Sequence, residues 1–342
     1  MTVAAPPRQI ARTVPTRLVW LLLAVILLVC VIAASVALGA KPIGIDAVVD
    51  SLWGGRDDND AFIVRETRIP RALLGLVVGI ALGVSGALIQ AFTRNPLADP
   101  GILGVNAGAA FAVTIGIAWF GAASIQGYIW FAFLGAAAVT GVVMFLGMAG
   151  RGVSPVRLTL VGVAVGALLG GVTSAITLLD PGAFDRMRDW GAGSLSARGW
   201  DVLVIAAPVI LAGTLLALAL APALNVVALG DELAGALGAR IARTRLLVIV
   251  AVTVLAGAAT AAAGPIGFVG LMVPHICRWF VGPDQRWILV FTIVLAPALL
   301  TIADVVARLV VAPQELQVGI VTALVGAPVL VALARRSKAS GL

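Results

Sequence analysis

Apolar residues form long runs along this chain, and short polar or Gly/Pro-rich segments separate the runs. The runs are roughly 20 residues long, as an α-helix needs to cross a bilayer, whereas a barrel strand needs only about 9–11. The pattern therefore predicts an all-α, polytopic membrane protein with about ten transmembrane helices. The predicted spans are residues 18–38, 71–91, 102–120, 128–149, 157–179, 200–220, 245–263, 265–281, 287–306 and 317–334.

Composition supports this class. The 342 residues are 61% apolar and 11% charged, and the mean hydropathy is +1.12. A soluble domain is about 45–50% apolar and about 25% charged. The composition therefore excludes a soluble globular enzyme, and the high hydrophobicity also excludes a disordered chain.

The first span, residues 18–38, follows arginines and could also be read as a secretory signal peptide. The apolar core of a signal peptide is only about 7–15 residues long, which is shorter than this run. We therefore expect a retained first span. The predicted organisation is one membrane domain over residues 18–336, with tails at residues 1–17 and 337–342.

The basic residues indicate the orientation in the membrane. The chain has 23 Lys and Arg against 16 Asp and Glu, a net charge of +7. With the N-terminus inside, most of the basic residues fall on the cytoplasmic side, as the positive-inside rule requires. We therefore expect both termini in the cytoplasm of a plasma (inner) membrane protein. The charge excess then needs no nucleic-acid partner.

Residues that could carry catalysis are scarce. The chain has one histidine, His275, and its two cysteines, Cys30 and Cys277, lack metal-ligand spacing. No phosphate-binding loop of the type G-x-x-x-x-G-K-[ST] occurs, so any ATP that drives this chain must be bound by another subunit. We expect a non-enzymatic chain with no cofactor and no metal site.

One acid, Asp304, lies inside a predicted span, and Arg308 follows one helical turn later. A gradient-driven carrier is expected to hold ionisable residues at membrane depth. The spacing also allows Asp304 and Arg308 to neutralise each other. A structural pair, a coupling-ion site and a docking role for Arg308 all remain open from the residues alone.

The segment between the sixth and seventh spans, residues 228–240, predicts a short cytoplasmic helix over residues 228–238. Acids suit its positive N-terminal end, a glycine suits the left-handed residue that ends it, and leucines recur every fourth position. The apolar stripe fits either the membrane surface or a groove on a partner protein. The candidate residues of this segment are Leu229, Gly230, Asp231, Glu232, Leu233, Leu237 and Gly238.

Two arginines, Arg68 and Arg71, precede the second span on the predicted outer side, against the charge trend. Their side chains could snorkel to lipid headgroups. Their forked guanidinium groups could equally bind carboxylates of a soluble partner. Charge alone does not separate these two interpretations.

Six segments resemble FecCD-type permeases, and they occur in the same order from about residue 18 to residue 336. They are RIPR at 68–71, GIALGVSGALIQ at 79–90, NPLADPGILG at 95–104, GPIGFVGLMVPHICR at 264–278, ADVVAR at 303–308 and GIVTALVGAP at 319–328. This family comprises membrane subunits of ATP-binding-cassette importers for ferric siderophores, haem and vitamin B12. The resemblance implies a type II importer permease, with ferric siderophores as the expected cargo.

The resemblance also implies partners. In this family a ten-helix subunit pairs with a second, identical or homologous permease chain in the lipid bilayer. Two cassette ATPases dock below, on a coupling segment that 228–240 resembles, and a substrate-binding protein docks above. Arginines that match Arg68, Arg71 and Arg308 accept glutamates of the binding protein in the vitamin B12 relative.

The fifth span matches the helix that lines the translocation path in the family, which implies path roles for Gly162, Gly166, Gly170, Thr173 and Ser174.

One feature departs from the vitamin B12 permease. That relative has a Thr–Ser pair at the cytoplasmic gate, and this chain has Pro155 and Val156 there. The gate is therefore expected to differ, and vitamin B12 becomes less favoured than a siderophore. An ion-coupled carrier and a membrane enzyme remain the rival classes.

Overall fold

The computed structural model describes residues 13–55, 58–122, 124–147 and 155–339, and this part of the chain is helical with no β-strand. The helices are α1 (Val14–Ala37), α2 (Ile45–Leu52), α3 (Asn59–Phe62), a π-helix (Ile63–Arg68), α4 (Ile69–Thr93), a 3-10 helix (Pro100–Leu103), α5 (Val105–Phe120), α6 (Ile125–Gly147), α7 (Pro155–Leu179), α8 (Pro181–Gly191), α9 (Trp200–Val227), α10 (Asp231–Ala236), α11 (Ile241–Ala263), α12 (Val269–Val281), α13 (Gln285–Leu309) and α14 (Val318–Ala339). The predicted all-α fold is confirmed.

A helix lies within each of the ten predicted spans. In the described ranges, seven helices are long and apolar enough to cross a membrane by length and composition. Three apolar helices are shorter, Val105–Phe120, Val269–Val281 and Val318–Ala332. The number of ten full crossings is therefore approximate.

The predicted span 265–281 begins too early. Gly264 and Phe268 have φ angles of 74° and 69°, so the backbone turns there and α12 begins only at Val269. Positive φ is unusual for a residue with a side chain, and it ends regular helix geometry at that point. The helix α12 is consequently a 13-residue segment that starts within the bundle.

Helix α4 is the centre of the bundle. It packs against α9, α11, α12 and α13, and most of its residues are buried. Its glycines allow this packing: a Cβ on Gly79 would collide with Pro297 of α13, and one on Gly86 would collide with the Gly270 carbonyl of α12. Small residues thus let helix backbones approach closely.

Helices α1 and α7 lie at the periphery. In the most apolar 18-residue stretch of each helix, only 11% of the residues of α1 and 6% of those of α7 are buried within the chain. The exposed face of α1 is rich in leucine and valine, as expected for contact with lipid. Helix α7 also exposes leucines and valines, and beside them the small residues Gly170, Gly171 and Ser174.

Side-chain contacts define two ends of the bundle. At the end that we call outer, Trp200 Nε1 donates to the Arg65 carbonyl (3.2 Å) and Ser196 Oγ donates to Glu315 (3.0 Å). At the inner end, Asn225 Nδ2 donates to Asp284 Oδ1 (2.7 Å). These contacts join segments that the predicted topology places on the same side of the membrane.

Candidate functional site

The predicted coupling segment 228–240 lies at the inner end, and its leucines are uncovered. Leu229, Leu233 and Leu237 are 58%, 59% and 63% exposed. Their side chains therefore form an apolar surface that the described part of the chain does not cover. Such a surface needs contact with lipid or with another protein.

The helix in this segment is shorter than predicted. Only Asp231–Ala236 is helical, because Gly230 has a φ of 107° and separates Leu229 from the helix. The expectation of one continuous helix over 228–238 is therefore wrong. Gly238, with a φ of 77°, adopts the left-handed conformation predicted for it.

Asp231 anchors this segment to the bundle. Its carboxylate accepts hydrogen bonds from Arg94 Nη2 (2.6 Å), just beyond the end of α4, and from Arg245 Nη2 (2.9 and 3.0 Å) on α11. Arg94 also donates to the Val227 carbonyl (2.7 Å) at the end of α9. Three helices of the bundle are thus tied to the segment through one aspartate and two arginines.

The hydrogen bond from Arg94 lowers the pKa of Asp231 against the opposing effect of burial, and the charge and hydrogen bond of Arg245 and the charge of Arg94 lower it further. The carboxylate is therefore ionised at neutral pH and carries the charge that pairs with both arginines. Glu232, next to it, is exposed. Position 231 therefore faces the bundle, whereas the leucines and Glu232 face outward.

At the outer end, Arg68 and Arg308 hold the C-terminus of α1. Arg68 Nη1 donates to the carbonyls of Val36 (3.0 Å) and Ala37 (2.6 Å). Arg308 Nη1 donates to those of Ser35 (3.0 Å) and Leu38 (2.9 Å). The last carbonyls of a helix lack partners within it and carry partial negative charge, so guanidinium groups are well suited to this position.

Arg71 forms the centre of a buried ion network. Its Nη2 lies 2.8 Å from Asp304 Oδ1, and its Nη1 lies 2.7 Å from Glu315 Oε2. Asp304 Oδ2 also lies 3.0 Å from Arg308 Nη2, so the predicted pairing along α13 is confirmed. Asp304 therefore balances two arginines, one of them on α4.

The three predicted docking arginines are not open forks in this structure. Arg68, Arg71 and Arg308 are 4%, 5% and 2% exposed, and each donates to groups of its own chain. The sequence left snorkelling and partner binding open for Arg68 and Arg71, and a structural pair, a coupling-ion site or a docking role open for Asp304 and Arg308. The geometry adds a further interpretation, in which these side chains fasten α1, α4 and α13 together.

Glu315 is a residue that sequence reasoning missed. Burial raises the pKa of its carboxyl, but the hydrogen bonds from Arg71 and Ser196 and the charge of Arg71 outweigh burial and lower it. The sequence offers one signal for it: Glu315 is an acid in a short loop on the predicted outer side, where Arg68 and Arg71 also lie. Its position next to Arg71 depends on the packing of α4 against α13, which the sequence pattern does not encode.

Along α7, the predicted path residues separate into two groups. Gly162 is buried, and a Cβ there would collide with the Ile102 carbonyl, so this glycine serves packing. Gly170 has no heavy atom within 4 Å of an added Cβ, and Ser174 is exposed. A Cβ added to Gly166 would contact only Ala107, at an ordinary van der Waals distance of 3.8 Å. Thr173 is half-buried.

Of the predicted gate residues, Pro155 begins α7 and Val156 is 70% exposed. The segment before them, residues 148–154, lies outside the described residues. In the described ranges, no group of three or more His, Cys, Asp or Glu could hold a metal ion. His275 packs edge-on against Trp279, with ring centroids 5.2 Å apart.

The chain is similar to known proteins over most of its length. The model of the FecCD transport family matches residues 26–336. The ferric enterobactin transport system permease protein FepD of Escherichia coli is 49% identical over 92% of this chain and 95% of its own length. The hemin transport system permease protein HmuU of Yersinia pestis is 37% identical over 92% of this chain and 94% of its length.

Among solved structures, a metal-chelate-type ABC transporter in an inward-facing conformation superposes with a TM-score of 0.82. Its sequence is 28% identical, and the match covers 93% of this chain and 99% of the other. The helical arrangement therefore extends over nearly the whole of both chains.

Proposed function

This chain belongs to the FecCD transport family, and we propose that it is the membrane-spanning permease subunit of an ATP-binding-cassette importer for ferric siderophores. The similarity to the ferric enterobactin permease supports a siderophore as cargo. Haem is the second candidate cargo, because the hemin permease is also similar over most of the chain.

The observation that carries this proposal is the segment 228–240. Its three leucines are exposed, while Asp231 ties the segment to α4 and α11. An apolar surface on a firmly held segment fits the groove of a partner that moves the bundle. We assign this role to two cassette ATPases, which would bind and hydrolyse ATP while this chain itself catalyses no reaction.

A second permease chain, identical or homologous, completes the pathway in this proposal. The face of α7 supports it, because this apolar helix is almost uncovered and exposes Gly170 and Ser174. Two such faces would enclose a path between two chains, with Gly166 and Thr173 also near it. Gly162 would instead serve the packing of α7, because it lies against the Ile102 carbonyl.

A substrate-binding protein would dock at the outer end. Of the three predicted arginines, Arg71 fits a docking role best, since its partner Glu315 has a side chain that is 27% exposed. Arg68 and Arg308 would contribute by fixing the end of α1 beneath the docking surface. Charged groups at such a surface set the orientation and rate of docking more than its affinity.

We place the chain in the inner membrane as a multi-pass protein with both termini in the cytoplasm. The distribution of Lys and Arg supports this orientation. An ion-coupled carrier is disfavoured, because Asp304 is already balanced by Arg71 and Arg308.

The experiment that tests this proposal is purification of the Leu233→Asp chain with its ATPase partners. A charge in the apolar surface should abolish co-purification of the ATPases, while the permease still inserts into the membrane. The matched control is Ala242→Asp, an exposed position at the start of α11 just beyond the segment. Equal ATPase recovery for Leu233→Asp and the wild-type chain would refute the coupling role.

A further inference from the structure

A pocket of about 370 Å³ with charged residues in its lining lies at the outer end, apart from the path face of α7. It is bounded by the start of α6, by α8, by the loop before α9 and by the loop before α14. Its volume is in the range of small-molecule sites, which is about 300–1,000 Å³. The residues that define its chemistry are Tyr128, Arg186, Trp190, Ser196, Arg198 and Glu315.

The pocket carries an excess of positive charge. Arg186 is exposed and forms no ion pair with a described residue, and Arg198 donates its Nη1 to the Tyr128 hydroxyl (3.0 Å). Glu315 is the only acid among the described lining residues, and Arg71 and Ser196 already bind its carboxylate. Among the described lining residues, no carboxylate is therefore left to balance these two arginines.

Two further groups in the wall lack acceptors. Trp190 is 3% exposed, and its Nε1 is buried with no acceptor among the described residues. Arg198 Nε is in the same situation. Both atoms can only donate hydrogen bonds, and buried polar groups in proteins are normally paired. These two donors lie beneath the surface of the wall, and the pocket itself presents the charges of Arg186 and Arg198, which suit an oxygen-rich anion.

We propose that this pocket is a reception site for an anionic, oxygen-rich iron chelate such as a ferric catecholate. The inference rests on the proposed function, because it assumes that an iron chelate reaches the outer end. Arg186 and Arg198 would attract and orient the anion, and Tyr128 would hold Arg198 in place. The pocket would then favour negatively charged chelates over neutral ones.

The test is equilibrium dialysis of the purified permease, with its partner chains, against two chelates of radioactive iron. One chelate is a trianionic ferric tris-catecholate and the other is a neutral ferric tris-hydroxamate. We expect the wild-type chain to bind the anion more tightly. Arg186→Gln and Arg198→Gln should each weaken its binding on the order of tenfold, since a hydrogen bond to a charged group is lost. Arg188→Gln is the matched control, because Arg188 lies on α8 outside the pocket and pairs with Asp185.

Arg186 is exposed, so its replacement does not threaten folding even if Arg198→Gln does. Binding of the anion that is equal in the wild-type and Arg186→Gln chains would overturn the proposal. Equal weakening for the neutral chelate would also overturn it, and would indicate a general effect on the outer end. ATP-driven uptake of the same chelates by the wild-type complex reports the proposed function separately, so the two can fail independently.

Discussion

At the scale of single residues, Asp304 is the most consequential group in the outer half of the molecule. It is 2% exposed and lies between Arg71 and Arg308. Removing one partner of a buried ion pair leaves an uncompensated charge, which is far more costly than loss of a surface pair. The sequence identified the Arg308 partner from its spacing. It could not identify Arg71, which is 233 residues away.

Replacement of Asp304 with Ala should destabilise the chain by about 3–5 kcal/mol, because Arg308 then stays buried without a carboxylate and Arg71 keeps only Glu315. Thermal unfolding in detergent measures the effect. Asp60→Ala is the matched control, since Asp60 pairs with Lys41 (2.6 Å) at an exposed position. Such surface pairs contribute about 0–1 kcal/mol. Similar losses for the two variants would contradict the buried network.

At the scale of helices, hydrophobic runs predicted the spans because each run must match the thickness of the bilayer. The amphipathic pieces were missed: α2, α3 and α8 lie between spans and are too short for periodicity to identify them. The end of α10 was predictable from Gly238. Its start was not, because the sequence does not show that Gly230 has a positive φ.

Loss of Arg245 should loosen the coupling segment from α11. An exposed ion pair contributes up to about 1 kcal/mol, which is about a fivefold change in an equilibrium. We therefore expect Arg245→Gln to lower iron uptake per ATP hydrolysed by up to about fivefold. Arg243→Gln is the control, since Arg243 is exposed and has no ion pair with a described residue. Equal uptake per ATP in the two variants would show that the ion pair between Arg245 and Asp231 does not couple the segment 228–240 to α11.

The two groups of glycines on α7 should respond differently to substitution. Gly162→Ala places a methyl group against the Ile102 carbonyl and should destabilise the chain by about 1–3 kcal/mol. Gly170→Trp adds its side chain in open space, so it should leave the unfolding temperature unchanged and yet block iron uptake. Normal uptake by the Gly170→Trp chain would remove this face from the pathway.

At the scale of the whole molecule, one helix bundle joins the inner segment to the outer ion network. The packing of α4 against α9, α11, α12 and α13 connects the inner segment held by Asp231 to the outer network around Arg71. The sequence predicted the class, the order of the spans and the family. It did not predict that the outer arginines are satisfied within the chain, because that depends on where α1 ends against α4 and α13.

The claim that separate ATPases drive import through this chain is tested most simply by uptake of radioactive iron. The iron is supplied as a ferric siderophore to vesicles that contain this chain, a partner permease and the binding protein. We expect uptake only when the cassette ATPases and ATP are also present, and none when the permease carries Leu233→Asp. Full uptake in vesicles that lack the ATPases would contradict this claim.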